Sequence, residues 1–206
     1  MKGSRGFNEK RATAAIKVYY LLTCRRVVKM SHGFINSKSF FYLMAHKTIL
    51  ENVKDVIAAG SSVVESARSE IIWILPPQMM VFAGQFGLTD KSKMLIEKGG
   101  RVRGITQISV TYLNVVRDLL DIGEDVRHVD QYRGEFLLVV DRRESISSVP
   151  QHTVDIGDLS LDDRVVGFWT DDPSFAEYLI TTFEAAWEES VDANKRIDAL
   201  LEQGPP

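Results

Sequence analysis

Cysteine is nearly absent from this chain: Cys24 stands alone among 206 residues. One thiol cannot close an intramolecular disulfide, and it cannot supply the cysteine-rich ligand set of a structural zinc site. That usage points to a reducing, cytosolic setting. Long apolar runs are scarce too. The longest near the start, residues 12–24, is interrupted by Lys17 and is shorter than the roughly 20 residues a membrane span needs. The glycine patterns that cradle phosphate, G-x-G-x-x-G and G-x-x-x-x-G-K-[ST], do not occur, and neither does a G-x-S-x-G nucleophile elbow. No cofactor is expected on these grounds. Acids are missing from the head of the chain: residues 1–50 hold ten Lys/Arg and only Glu9 as an acid. Residues 51–206 then carry 15 bases against 27 acids, a formal −12. A basic head of this kind suits nucleic acid, an acidic partner or a membrane surface, or is simply a solvated extension. No recognition motif accompanies the charge, so residues 1–47 are read as a basic extension, with nucleic-acid binding as the less favoured alternative. Residues 1–47 lack a clear period, and their aromatic cluster, Phe34, Phe40, Phe41 and Tyr42, is read as a strand or short helix packing on the body.

What is present is an ordered succession of short elements. Thr48, with Glu51 three residues on, has the form of a capping box, and predicts a helix from 48. Val53, Val56, Ile57, Val63 and Val64 would supply its apolar stripe. The run Ile71-Ile72-Trp73-Ile74-Leu75 is what a strand covered on both faces requires, and Pro76-Pro77 ends it. Residues 79–98 predict a helical region broken around 84–87, with Met94 and Leu95 turned inward. Gly99-Gly100 stops it. A strand is expected over 101–108, then a helix capped by Ser109 with Tyr112, Leu113, Val116, Leu119 and Leu120 buried. Gly123 ends that helix before a strand over 125–130. Alternation of this kind implies parallel strands with helices on both faces, a three-layer α/β/α domain with a mixed, largely parallel sheet. The pattern then changes to a hairpin, 136–140 and 145–149 around Asp141 to Glu144, a polar loop over 150–161 and a strand over 164–170. The final helix starts at Asp171 or Asp172 with Pro173 in its first turn. It buries Phe175, Tyr178, Leu179, Phe183, Ala186 and Trp187, and is expected to run on through Ile197, Leu200 and Leu201 as a stripe facing a partner.

The succession GG-RVRGITQIS, DLLDIGEDVRHVD, GEFLLVVD and FEAAWEESVDANKRIDALLEQG resembles a phospholipase D-like domain. It is most similar to the version found as an input domain in archaeal sensor histidine kinases and sugar-responsive transcription regulators. The resemblance covers residues 48–204. Active members of the superfamily carry H-x-K-x-x-x-x-D before a hairpin, where the imidazole attacks phosphorus and the lysine neutralises phosphate oxygens. With Asp141 at the last position of that motif, Gly134 stands at the histidine position and Phe136 at the lysine position. Glycine cannot attack and phenylalanine cannot hold an anion. The resemblance therefore implies a scaffold that kept the fold and lost the reaction. It further implies an archaeal signalling context, a small-molecule or protein signal, paired subunits, and a kinase or regulator output module outside this chain.

In open parallel sheets ligands sit beyond the carboxyl ends of the strands. That rule singles out Arg103, Thr106, Gln107, Arg127, His128, Asp130 and Thr170. Protonated His128 would bind an anion, or serve as acid or base with Asp130 holding its tautomer; the other reading is a histidine bonded to backbone at a strand edge. The acid–base role leaves a rearranged phosphodiester hydrolase as a second alternative. Arg103, with Arg101, has the fork that grips phosphate or carboxylate, or else pairs at the surface with the acidic helices. Asp162-Asp163 and Asp171-Asp172 are read as helix and turn caps, and no metal ligands are assigned.

Overall fold

The computed structural model describes residues 47–130, 136–150 and 159–202. The basic extension, but for Lys47, lies outside them, as do the aromatic cluster at 34–42, Gly134 and most of the 150–161 loop. The elements are β1 (Lys47–Asn52), α1 (Val53–Glu65), β2 (Glu70–Ile74), α2 (Pro77–Gln85), α3 (Leu88–Glu97), β3 (Arg101–Thr106), α4 (Leu113–Asp121), β4 (Asp125–His128), β5 (Phe136–Val140), β6 (Glu144–Pro150), β7 (Arg164–Thr170), α5 (Pro173–Glu189), β8 (Val191–Asp192) and α6 (Ala193–Glu202). The strands form one sheet in the order β1-β7-β6-β5-β2-β3-β4-β8.

The fold is the expected three-layer α/β/α arrangement around a mixed sheet. Parallel pairing is confined to β2-β3 and β3-β4, where short helical crossovers link the strands. The pairings β1-β7, β2-β5, β4-β8, β5-β6 and β6-β7 are antiparallel, so the sheet is not largely parallel. The reason lies in the hairpin: once β5 returns beside β2, every strand added on that side is reached by a reversal of direction.

Both faces are covered, unequally. One core joins the sheet to α1 through α4 and to α6, with Val53, Ile71, Val102, Val116, Val126 and Ile146 essentially inaccessible. The other is smaller and packs Ile72, Ile105, Leu137 and Val139 against Ala176, Leu179, Ile180 and Phe183 of α5. Trp73 and Ile72 thus go to opposite layers, as period two demands. Phe183 is wholly buried beneath α5, a burial worth about 2–3 kcal/mol.

Five local expectations need correction. Thr48 does not begin a helix. It lies in β1, opposite Trp169 of β7, and the helix starts five residues later, capped by the Asn52 side chain on the amide of Asp55 at 2.8 Å. The pattern N-x-x-D at 52–55 competes with T-x-x-E at 48–51, and pairing with β7 decides between them. Met94 points outward, 53% exposed, while Leu95 is buried as expected. Ser109 opens a short 3₁₀ turn, Val110–Tyr112, without a side-chain capping bond, before α4 proper. The last helix is not continuous. It stops at Ser190, whose hydroxyl donates to Trp187 O at 2.7 Å, and Val191-Asp192 pairs with β4. Asp192 then caps α6 through the amides of Asn194 and Lys195, at 3.0 and 3.2 Å. Ile197 is therefore buried in the larger core, not held out to a partner, and only Leu201 of the expected stripe is exposed. Within α5, Tyr178 is likewise exposed instead of buried.

Candidate functional site

The carboxyl ends of β2, β3 and β4 share one edge of the sheet, and four of the candidate residues meet there. Thr106 is buried and its hydroxyl donates to Leu75 O at 2.8 Å, tying the exit of β3 to that of β2. His128 lies at the end of β4, 3% exposed. Its Nδ1 accepts the amide hydrogen of Ile108 at 2.9 Å, and its Nε2 lies 3.0 Å from Asp130 Oδ1. Gln107 donates through Nε2 to Asp130 O at 3.2 Å. Arg196 from α6 approaches the same loop, with Nε 3.5 Å from Ile108 O. Tyr112 donates to Gln78 Oε1 at 3.0 Å, closing the crevice toward α2.

The bond from Ile108 assigns the histidine's state. A ring nitrogen that faces a backbone N–H must present a lone pair, so the hydrogen of neutral His128 is on Nε2 and is donated to Asp130. Burial holds the pKa of His128 below the usual histidine value. The charge of Arg196 acts in the same sense, while the bond to Asp130 and its charge oppose both. The Nδ1 lone pair is committed to the amide of Ile108 and Nε2 carries the hydrogen, so neither nitrogen is free to attack phosphorus, and the neutral ring carries no charge for an anion. Of the two readings of His128, the geometry matches the backbone-bonded one: the ring is a cross-link between the exits of β3 and β4. The group left in water is the Asp130 carboxylate, with a side chain 83% exposed.

The other three candidates lie elsewhere. Arg127 faces the α5 layer, where it stacks 4.6 Å from the Trp187 ring centroid and donates to Trp187 O at 2.8 Å, satisfying a carbonyl at the end of α5. Arg103 is on that face too, nearer the amino edge. It grips Glu184 with two bonds, of 3.0 and 2.7 Å, and reaches Glu70 at 3.0 Å. The bond to Glu184 raises its pKa further, against the opposing effect of burial. Its fork is bidentate as expected, and its partner is internal. Thr170 lies at the opposite edge of the sheet. β7 runs antiparallel to β2, so its carboxyl end falls beside Lys47 and Ser145 and not beside Thr106. Thr170 is buried and accepts from the amide of Asp172.

The residues that the resemblance aligns with the phosphoryl-transfer motif are equally committed. Phe136 is 8% exposed in the core. Asp141 accepts from the amides of Arg68, Ser69 and Glu70 at 2.8, 2.8 and 2.9 Å and from the Ser69 hydroxyl at 2.7 Å. Partial burial alone would raise its pKa; the bonds from Glu70, Ser69 and Arg68 overcome that and hold it below the usual carboxylate range. Asp163 and Asp172 serve local backbone amides, at 2.7 Å from Ser160 N and 2.9 Å from Ser174 N. No group of three or more His, Cys, Asp or Glu suited to a metal occurs among the described residues.

Solved structures match this architecture. TrmBL2, an archaeal chromatin protein described as showing a novel mode of DNA binding, aligns over 94% of this chain and 72% of that one, with 14% identity and a TM-score of 0.56. Nuc from Salmonella typhimurium, a phospholipase D family member, aligns over 71% of this chain and 97% of its own, with 11% identity and a TM-score of 0.53. The chain has a phospholipase D-like fold. No family model matches its sequence, and none of the curated proteins does. In this phospholipase D-like chain no described helix is long and apolar enough to cross a membrane.

One buried polar group escaped the sequence reading. Glu124 is 5% exposed between α4 and β4 and accepts a bond from Trp73 Nε1 at 3.1 Å. Burial pushes its pKa up to about 7, against the bonds from Ser92 and Trp73. A signal was available. The amide of Gly123 bonds to Leu120 O and that of Glu124 to Leu119 O, so Glu124 fills the position after a glycine helix stop that normally packs an apolar side chain back on the helix. An acid there is out of place by its chemistry.

Proposed function

We propose that residues 48–204 are a non-catalytic recognition domain of signal-transduction or regulator type, which binds a small molecule or a protein partner at the carboxyl edge of β2–β4. The observation that carries the reading is the fate of the reactive positions. Phe136 stands where a cation would neutralise phosphate, Asp141 is occupied by three backbone amides, and His128 has no free lone pair. The exposed Asp130 carboxylate beside Gln107 leaves recognition groups at the edge and, among the described residues, none placed to react. The reading includes an archaeal, cytoplasmic setting, paired copies of the chain and an output module supplied separately. Hydrolysis of a chromogenic phosphodiester tests the absence of reaction. A thermal-shift screen against metabolites and nucleotides tests the presence of a ligand, with Asp130→Ala and Gln107→Ala expected to remove the stabilisation that wild type gains.

A second reading is favoured by a different observation. Residues 1–50 carry ten bases against one acid, and TrmBL2 joins this fold to DNA binding. A duplex-binding regulator that uses the basic arm would bind with a steep salt dependence and lose binding when residues 1–30 are deleted.

A further inference from the structure

Between the sheet and the helices α1, α2 and α3 lies a cavity of about 60 Å³. Val64, Met80, Leu88, Leu119, Phe136 and Leu138 are among its walls, and among the described residues the one ionisable side chain that lines it is Glu124. It is set apart from the exposed Asp130 carboxylate at the strand exits.

The carboxyl is held there by dedicated packing. Trp73 lies opposite Gly104 on β3, and a Cβ at Gly104 would come 2.0 Å from Cζ2 of the indole. Only glycine lets the ring lie along β3 and donate Nε1–H to Glu124. The second donor, Ser92, is a buried hydroxyl on α3. Both donors are neutral. A carboxylate removed from water and given only neutral donors stays under-compensated, and a positive charge would complete it. Apart from Thr89, the rest of the lining is apolar, so the charge has to arrive on a small hydrocarbon. At roughly 10–15 Å³ for each water-sized occupant, the space of about 60 Å³ holds about four to six non-hydrogen atoms.

We infer that this cavity is a binding site for a short primary alkylammonium ion, whose charged head pairs with Glu124 and whose chain fills the space among the helices. The site is independent of the strand-exit reading, and either can fail without the other.

The test is a ¹H–¹⁵N NMR titration of the full chain at pH 8 with butylammonium chloride, and with 1-butanol in sodium chloride of equal ionic strength. The three tryptophan indole signals are the readout, with Trp73→Phe identifying that of Trp73. The inference expects the Trp73 signal to move saturably with butylammonium while those of Trp169 and Trp187 stay in place. Half-saturation should rise at least tenfold in Glu124→Gln, and also in Ala83→Leu, which narrows the same cavity. Butanol should bind at least tenfold more weakly than butylammonium in wild type, a comparison that needs no variant to fold. An unmoved Trp73 signal, no preference for the ammonium, or an unchanged half-saturation in Glu124→Gln would overturn it.

Discussion

The amide of Ile108 donates to Nδ1 of His128 across 2.9 Å, and this bond makes a histidine at the end of a parallel strand structural instead of reactive. Its consequence is directly measurable. The ¹⁵N spectrum of His128 should report the Nε2–H tautomer, with neutrality kept to lower pH than an ordinary histidine allows. The pKa of His128 is lowered in the folded state, so its contribution to stability is complete above about pH 6.5 and is lost as pH falls through the folded value. His128→Ala leaves a buried amide without its acceptor and should cost about 2 kcal/mol near pH 7.5, read by denaturant unfolding. Stability unchanged in that variant would mean the bond is not formed in solution.

Glu124 works with the opposite sign. A carboxyl whose pKa is raised from 4.5 to about 7 contributes stability that is whole below about pH 4.5 and gone once pH has passed about 7. Glu124→Gln keeps the shape without the charge. It should be more stable than wild type at pH 8, by about 3 kcal/mol, and this advantage should shrink toward zero near pH 4.5. Urea midpoints of the two proteins at pH 4.5, 6 and 8 check the trend.

The β5–β6 hairpin turns through Asp141 and Arg142, both with positive φ, 51° and 56°. The amide of Arg143 bonds to Val140 O at 3.0 Å, so Asp141 and Arg142 are the central pair of a turn of the type that favours Asn-Gly, within the three-residue loop between Val140 and Glu144. Arg142→Gly should remove left-handed strain of about 1 kcal/mol and lose only the exposed pair with Glu177, giving a small net rise in melting temperature. Asp141→Ala should go the other way, by about 3 kcal/mol, because the amides of Arg68, Ser69 and Glu70 lose their common acceptor.

Arg103 fastens α5 to the sheet through Glu184 and Glu70. Arg103→Met should lower stability by about 2 kcal/mol at neutral pH, less than for a fully buried pair because Glu184 is 42% exposed. The double variant Arg103→Met, Glu184→Met should recover part of the loss. Additive losses in the double-variant cycle would show that the pair is not coupled.

The half of the domain that alternates strand and helix was legible in the sequence because each element carries its own stop. Gly99 and Gly123 both adopt positive φ after a helix, and the run from Ile71 to Leu75 ends at two prolines. What stayed hidden depends on distant partners. Ile49 and Leu50 suit a helix or a strand until Phe168 and Gly167 are beside them. The break at Ser190 comes from the edge of β4, which takes Val191 and Asp192 as a short strand. Thr170 was assigned to the candidate edge because a strand's direction is not written in its residues; it follows from the order in which the sheet is assembled. Arg103, Thr106 and His128 have the right chemistry for ligands, and the backbone and side chains that engage them come from elements 20 to 80 residues away in sequence.

Hydrolysis of bis(p-nitrophenyl) phosphate by wild type and His128→Ala tests the central claim most directly. The account predicts that both proteins release p-nitrophenol no faster than buffer alone, at any pH from 5 to 9. Release by wild type that rises with protein concentration and disappears in His128→Ala would contradict it.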